Sequence, residues 1–141
     1  MNTAVRERID PNGTLPKTNL IFIGHSEDDP NYEEYLVIHE WQLIGEAKLI
    51  RMTPESLCFR GISLEENIPR PKGVGLAAYV AAIEIAHARD MTFTNDGTLT
   101  DKAANIWRIL DAAHVVTIIT PLEEVAPDCH TGVLVIPPSA E

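Results

Sequence analysis

Residues 69–75 read Pro-Arg-Pro-Lys-Gly-Val-Gly and run straight into the alanine-rich segment LAAYVAAIEIAHARD. The start of a helix leaves several backbone N–H groups without partners, and the summed peptide dipoles make that end positive. A phosphate group settles there without a dedicated cage. Glycine matters at such a place because a side chain would hold the anion away from the amides. Pro69 and Pro71 stiffen the approach, while Arg70 and Lys72 set two cations beside it. The chemistry on offer is the holding of a phosphorylated ligand; the plain alternative is a turn whose basic residues are solvated. Three glycine-loop patterns compete. A Walker loop needs G-K-[ST], which is missing. The dinucleotide fingerprint G-x-G-x-x-[GA] matches GVGLAA, with Asp96 about where a ribose hydroxyl would meet a carboxylate. That fold runs a strand directly into its first glycine, whereas here EENIPRPK intervenes and only 45 residues follow Asp96, so the context disfavours it. The third pattern, [RQ]-x-x-G-x-[GA], is met by Arg70, Gly73 and Gly75.

Groups that move protons are harder to assign. Glu65 and Glu66 lie between a strand and the loop, and strand alternation puts them on opposite faces, so at most one faces a cleft. Glu40 and Glu46 lie in or near a hairpin, and His25 and His39 titrate in a useful range. Most acids in a chain with 21 of them belong to solvated surface, so no catalytic residue is assigned. Asp28, Asp29, Glu33 and Glu34 read as an acidic loop that attracts a cationic acceptor or simply aids solubility. Cys58 and Cys129 give neither a CxxC pair nor a disulfide framework. Cys58 reads as a small buried thiol. Cys129-His130 is half of a metal site with no second half at ligand spacing, so no metal is expected.

The elements that must hold these residues follow from periodicity. Residues 1–18 carry turn formers and read as an irregular arm, and residues 19–141 as a single domain. NLIFIG is a strand, followed by an acidic loop with room for about one helical turn. YLVIHE and QLIGEAKLIRM form an antiparallel hairpin turning at residues 40–42. ESLCFRGISL is a further strand with Gly61 as a bulge or a place of close approach. The glycine loop then opens a helix with Leu76, Tyr79, Val80, Ile83 and His87 on one stripe, leaving Glu84 and Arg89 for the other face. MTFTND is a strand. A second helix is capped by Thr100 and buries Ala103, Ile106, Trp107 and Leu110. VVTIIT and GVLVIP are strands separated by an acidic, proline-containing loop. The sum is a mixed α/β fold with an antiparallel first half and two crossover helices.

Composition narrows the function classes. The 141 residues, 45% hydrophobic, suffice for one domain with a real core. A formal net charge of −10 opposes general attraction to nucleic acid or anionic membrane. No apolar run approaches the roughly 20 residues that span a bilayer. MNTAVRERID lacks the hydrophobic core of a signal peptide, which makes the cytoplasm the expected compartment.

Taken with the element order from about Leu20 to Ile136, Arg70-x-x-Gly73-x-Gly75 resembles the acetyl-CoA signature of the GCN5-related N-acetyltransferases, the GNAT family. TDKAANIWRIL is similar to the family's second helix, and FTNDGTLTDKAANIW resembles short phage-type acetyltransferase-like members. The resemblance implies a central mixed sheet whose strands splay at the cofactor. It implies that Arg70, Pro71, Lys72, Gly73, Val74 and Gly75 hold the pyrophosphate of acetyl-CoA (coenzyme A), with Leu76 beginning the helix. The pantetheine arm would lie along Ile62, Ser63 and Leu64, with Asn95 contacting it. The activity implied is direct transfer of acetyl to a primary amine, on a small molecule or on a protein lysine or N-terminus. Many members use a tyrosine on the second helix to protonate the departing thiolate; at that position stands Trp107, whose indole N–H is far too weak an acid. The family's two helices between the first two strands have no room here, so the acceptor cleft is open or completed by a second subunit of a homodimer. The alternative is a catalytically weak or inactive acyl-CoA-binding protein that acts through a protein partner.

Overall fold

Alternating apolar residues and short polar breaks turn the first half of the chain into a meander. In the computed structural model, which describes residues 3–68 and 72–138, β1 (Thr18–His25), β2 (Tyr32–His39), β3 (Gln42–Thr53) and β4 (Ser56–Leu64) pair antiparallel in chain order. The β2–β3 turn is the two residues Glu40 and Trp41, both at positive φ (46° and 71°), which matches the twist of the flanking strands. Helix α2 (Val74–Ala88) then crosses over to β5 (Thr92–Thr94), which lies parallel to β4. Helix α3 (Asp101–Ala112) leads to the hairpin of β6 (Thr117–Ala126) and β7 (Cys129–Ile136), and β7 inserts beside β5. The seven strands run β1-β2-β3-β4-β5-β7-β6, with β4 and β5 the one parallel pair. This is a mixed α/β sheet with an antiparallel N-terminal half, as the sequence implies.

The core is an aromatic cluster between the sheet and the two crossover helices. Tyr79 of α2 stacks on Phe59 of β4 with centroids 4.5 Å apart, and Phe93 of β5 stacks on Trp107 of α3 at 5.8 Å. Tyr79 meets Trp107 edge-on at 6.3 Å, so the two helices lock to one another as well as to the sheet. Each such ring pair contributes about 1 kcal/mol beyond its area burial. At the far end of α2, Arg89 donates to the buried carboxylate of Glu33 (2.8 Å) and to the Tyr35 hydroxyl (3.2 Å).

Several expectations are corrected. Residues 3–9 are not irregular but form α1 (Thr3–Ile9), whose Val5 joins the core and whose Arg6 binds Glu84 (Nε to Oε2, 3.0 Å). The acidic loop after VVTIIT is strand: β6 runs through Pro121 to Ala126. As the edge of the sheet, β6 tolerates a proline and three register shifts. Helix α2 buries nine of its fifteen residues, because its alanines let it sink into the sheet; Leu76 stays only partly buried. In α3 the buried residues are Ala104, Trp107 and Leu110, with Ala103 and Ile106 only partly covered. Glu33 and Glu34 are not in a loop: β2 begins at Tyr32, and Glu33 is 2% exposed, held by Arg89. Glu65 and Glu66 lie past the end of β4, so strand alternation does not apply to them.

Candidate functional site

The ladder between β4 and β5 is only three residues long, from Ser56–Thr92 to Cys58–Thr94. Beyond Cys58, β4 continues to Leu64 with no partner on that side among the described residues, so the sheet splits open. At the start of the split, Arg60 is extra in the register, which passes from Leu49–Phe59 to Lys48–Gly61, a bulge that re-aims the strand. The Arg60 guanidinium reaches across the gap to Asp96 Oδ1 (3.0 Å). Gly45 on β3 lets the free end of β4 lie close, since a Cβ there would collide with the Ser63 carbonyl oxygen.

Helix α2 starts at the mouth of this split. Its cap residue Gly73 sits at φ 93°, a conformation that disfavours any side chain, and among the described residues no side chain caps the helix. The first intrahelical donor is Ala77 N, bonded to Gly73 O at 2.8 Å. Among the described residues the amides of Val74, Gly75 and Leu76 have no acceptor, leaving orphan donors at the positive end of a fifteen-residue helix. A cleft of about 450 Å³ lies against them. Its walls are Ile62 and Leu64 of β4, Gly73, Val74 and Gly75 of α2, and Thr98, Thr100, Lys102 and Ile106 on the far side. At Gly75 an added Cβ would lie 3.5 Å from the Ile106 side chain, so growth at this position fills the cleft between the helices.

Of the residues named from the sequence, Ile62, Leu64, Gly73, Val74 and Gly75 are brought together on the cleft wall, while Ser63, Lys72 and Leu76 stand off it. Arg70 and Pro71 lie outside the described residues. The Asn95 amide is engaged elsewhere: it donates to Gly132 O (3.0 Å) and Asp96 O (2.8 Å) and accepts from Leu134 N (2.8 Å), stitching β5 to β7. His25, His39, Glu40, Glu46, Glu65 and Glu66 are not on the cleft wall either. Arg60, Tyr79 and Lys102 line the cleft without having been named as site residues from the sequence, and Asp96, named only for the disfavoured dinucleotide pattern, lines it too. The signal for Lys102 is its place in the first turn after the Thr100 cap, whereas Tyr79 reads from the sequence only as core.

Burial raises the Tyr79 phenol far above the usual tyrosine pKa, with the charges of nearby acids adding to it and the approaching Trp107 indole N–H offsetting part. That approach falls short of a hydrogen bond, and Trp107 Nε1 is buried and unpartnered among the described residues. Cys58, the last β4 residue paired with β5, is fully buried, and its thiol is pushed up to about 12, chiefly by burial, with the Asp96 charge adding and the Arg60 charge subtracting. It therefore remains a thiol and not a nucleophile.

No family model matches the sequence, and no curated protein does. Solved structures do. The IAA acetyltransferase from Bacillus cereus superposes with a TM-score of 0.59 at 14% identity, covering 86% of this chain and 99% of that one. A GNAT family acetyltransferase from Elizabethkingia anophelis with acetyl-CoA bound gives 0.55 at 14% identity, over 84% and 98%. The chain has the GNAT fold. The Bacillus subtilis acetyltransferase in complex with CoA gives 0.58 at 15% identity, over 86% and 99%. At these identities the likeness is one of architecture. The β1–β2 connection is short: residues 26–31 close in a tight turn, with Tyr32 N bonded to Asp29 O (3.0 Å) and Asn31 N to Asp29 Oδ1 (2.9 Å).

Proposed function

We propose that the cleft binds acetyl-CoA and that the protein transfers the acetyl group directly to a primary amine. The observation that carries this reading is a glycine-led helix start, with free amides among the described residues, opening onto a cleft where two parallel strands part. The amides of Val74 and Gly75 hold the diphosphate, and Lys102 supplies a cation to its phosphates despite the negative charge of the chain as a whole. The pantetheine arm runs along Ile62 to Leu64, where β4 has lost its neighbour. Relatives of fold solved with coenzyme A or acetyl-CoA support the choice of ligand.

In the reaction the neutral amine nitrogen attacks the thioester carbon, the tetrahedral intermediate collapses with cleavage of the C–S bond, and the amine proton passes to water or a carboxylate. The thiolate leaves towards the cleft, where Tyr79, protonated throughout the ordinary pH range, stabilises it by a hydrogen bond. Its raised pKa suits it to donating a hydrogen bond, not a whole proton. The acceptor enters an open site, small molecule and protein lysine or N-terminus alike, or one completed by a second copy, and the reaction proceeds in the cytoplasm, in a short member of phage type. One observation favours a second reading: Trp107 is fully buried, with an indole unpartnered among the described residues, where a proton donor would be wanted. On that reading the protein binds acyl-CoA and works through a protein partner. Thermal melting tests the shared part. Acetyl-CoA at about 100 times its Kd adds about 2.7 kcal/mol and NAD adds nothing; stabilisation by NAD alone contradicts the assignment. Thiol release with a panel of amines then separates enzyme from binder.

A further inference from the structure

We propose that Asp101, Glu124 and His130 form a site for a divalent transition metal ion, Zn²⁺ by preference, on the outer side of the segment that walls the cleft. Local spacing hides the site, because its members come from the first turn of α3, from β6 and from β7. The fold puts one ligand atom of each within 4.8 Å of the others. Glu124 faces His130 across the β6–β7 ladder, and His130 Nε2 lies 2.7 Å from Asp101 Oδ1.

The imidazole is the fixed member. His130 is 5% exposed, and its backbone N–H and carbonyl are both tied to Leu99, at 2.8 and 2.9 Å. Outside the cluster the ring has no hydrogen-bond partner among the described residues: Nδ1 is buried and unpartnered, and Nε2 meets only Asp101. A buried polar ring whose one open direction leads into carboxylates calls for a reason beyond packing. Asp101 is also placed firmly, since its backbone N–H donates to Asp128 Oδ1 (2.8 Å) and Thr100 caps the helix beneath it. Among the described residues no lysine or arginine forms an ion pair with Asp101, Glu124 or Asp128, and the one basic side chain paired with Asp101 is His130 of the cluster itself. The two carboxylates are exposed, and that of Asp101 already meets His130. A tetrahedral zinc ion with bonds near 2.0–2.1 Å wants its ligands roughly 3.4 Å apart, so Asp101 draws back slightly and Glu124 closes in, with water completing the shell. An imidazole beside two carboxylates favours zinc over magnesium, which prefers oxygen ligands and sheds its water reluctantly.

Thr100 and Lys102, on either side of Asp101, and Leu99, paired to His130, all line the cleft. An ion here clips the β6–β7 hairpin to the cleft wall. The proposal does not depend on the ligand of the cleft. Its test is titration of the chelator-stripped full chain with Zn²⁺ and with Mg²⁺, followed by calorimetry and metal analysis, on the natural sequence and on Glu124→Gln and Asp101→Asn. Both replacements are of exposed side chains, so the fold survives, which melting of the metal-free proteins verifies. The expected result is one Zn²⁺ per chain, bound more tightly than Mg²⁺, with affinity lowered about 100-fold or more in each variant. Absence of stoichiometric Zn²⁺ uptake overturns the proposal, as does uptake of equal affinity in both variants, which would place the ion elsewhere.

Discussion

Replacing Arg89 by methionine keeps most of the side chain's apolar stem but removes the guanidinium that anchors the end of α2 to β2. What remains is the buried carboxylate of Glu33, with the Tyr35 hydroxyl at 2.6 Å and Arg51 at 3.9 Å. Breaking a buried pair by removing one partner costs about 3–5 kcal/mol. Arg89 is itself 34% exposed and Arg51 stays in place, so a cost of about 2–3 kcal/mol is expected at neutral pH. At roughly 3 °C per kcal/mol for a chain of this size, the midpoint falls by about 6–9 °C. The pH dependence gives the sharper test. Burial pushes the Glu33 carboxyl up, but the hydrogen bonds from Arg89 and Tyr35 and the charges of Arg89 and Arg51 outweigh it and hold the pKa below its ordinary value. A depressed folded-state pKa contributes stability that is present above the unfolded value, about 4.3, and is lost as pH falls through the folded one. In Arg89→Met the burial effect gains the upper hand, so protonation relieves the variant as the medium is acidified. Urea melts at pH 7, 5 and 4 should therefore show the gap between the two proteins narrowing. A gap independent of pH would refute the placement of a charged carboxylate at Glu33.

Four further outcomes follow from the geometry. Gly73→Ala, forced to keep φ near 93°, costs about 1–2 kcal/mol in a thermal melt and weakens acetyl-CoA binding measured by calorimetry; an unchanged midpoint would count against the turn as described. Gly45→Ala drives a Cβ into the Ser63 carbonyl and displaces the free end of β4, at a cost of about 1–3 kcal/mol with loss of coenzyme affinity, checked by denaturation and binding together. Tyr79→Phe lowers turnover roughly 10-fold to 100-fold while leaving coenzyme affinity near its starting value, the size of one hydrogen bond to a charged group. Ultraviolet titration should find that Tyr35, raised to about 12, and Tyr79, raised further, resist ionisation. Because their folded values lie above the unfolded value of about 10, their contribution to stability is complete below that pH and declines as pH rises beyond it.

What the sequence disclosed and what it hid divide along physical lines. Period-two patterning and turn residues locate β1 to β4, and the Thr100 cap locates α3, where the Thr100 hydroxyl accepts from Ala103 N at 3.2 Å. These signals are local, so they are legible in a single chain. The interactions that were missed join residues far apart: Glu33 to Arg89, Asn95 to Gly132 and Leu134, Asp101 to His130. Nothing in the neighbourhood of Glu33 says that a strand begins at Tyr32 and turns the carboxylate inward. Pro121 and the acidic run after it read as a loop because propensity ignores position in the sheet; at an edge, a proline and exposed acids are compatible with a strand. Tyr79 occupies the expected apolar stripe, and only the arrival of α3 beside it makes its ring a wall of the cleft.

A crystal structure of the protein grown with saturating acetyl-CoA tests the central claim most directly. The account predicts a diphosphate within hydrogen-bond distance of the Val74 and Gly75 amide nitrogens, with the thioester arm lying between β4 and β5 beyond Cys58. A coenzyme bound elsewhere, or a cleft that stays empty at concentrations that stabilise the protein, would contradict it.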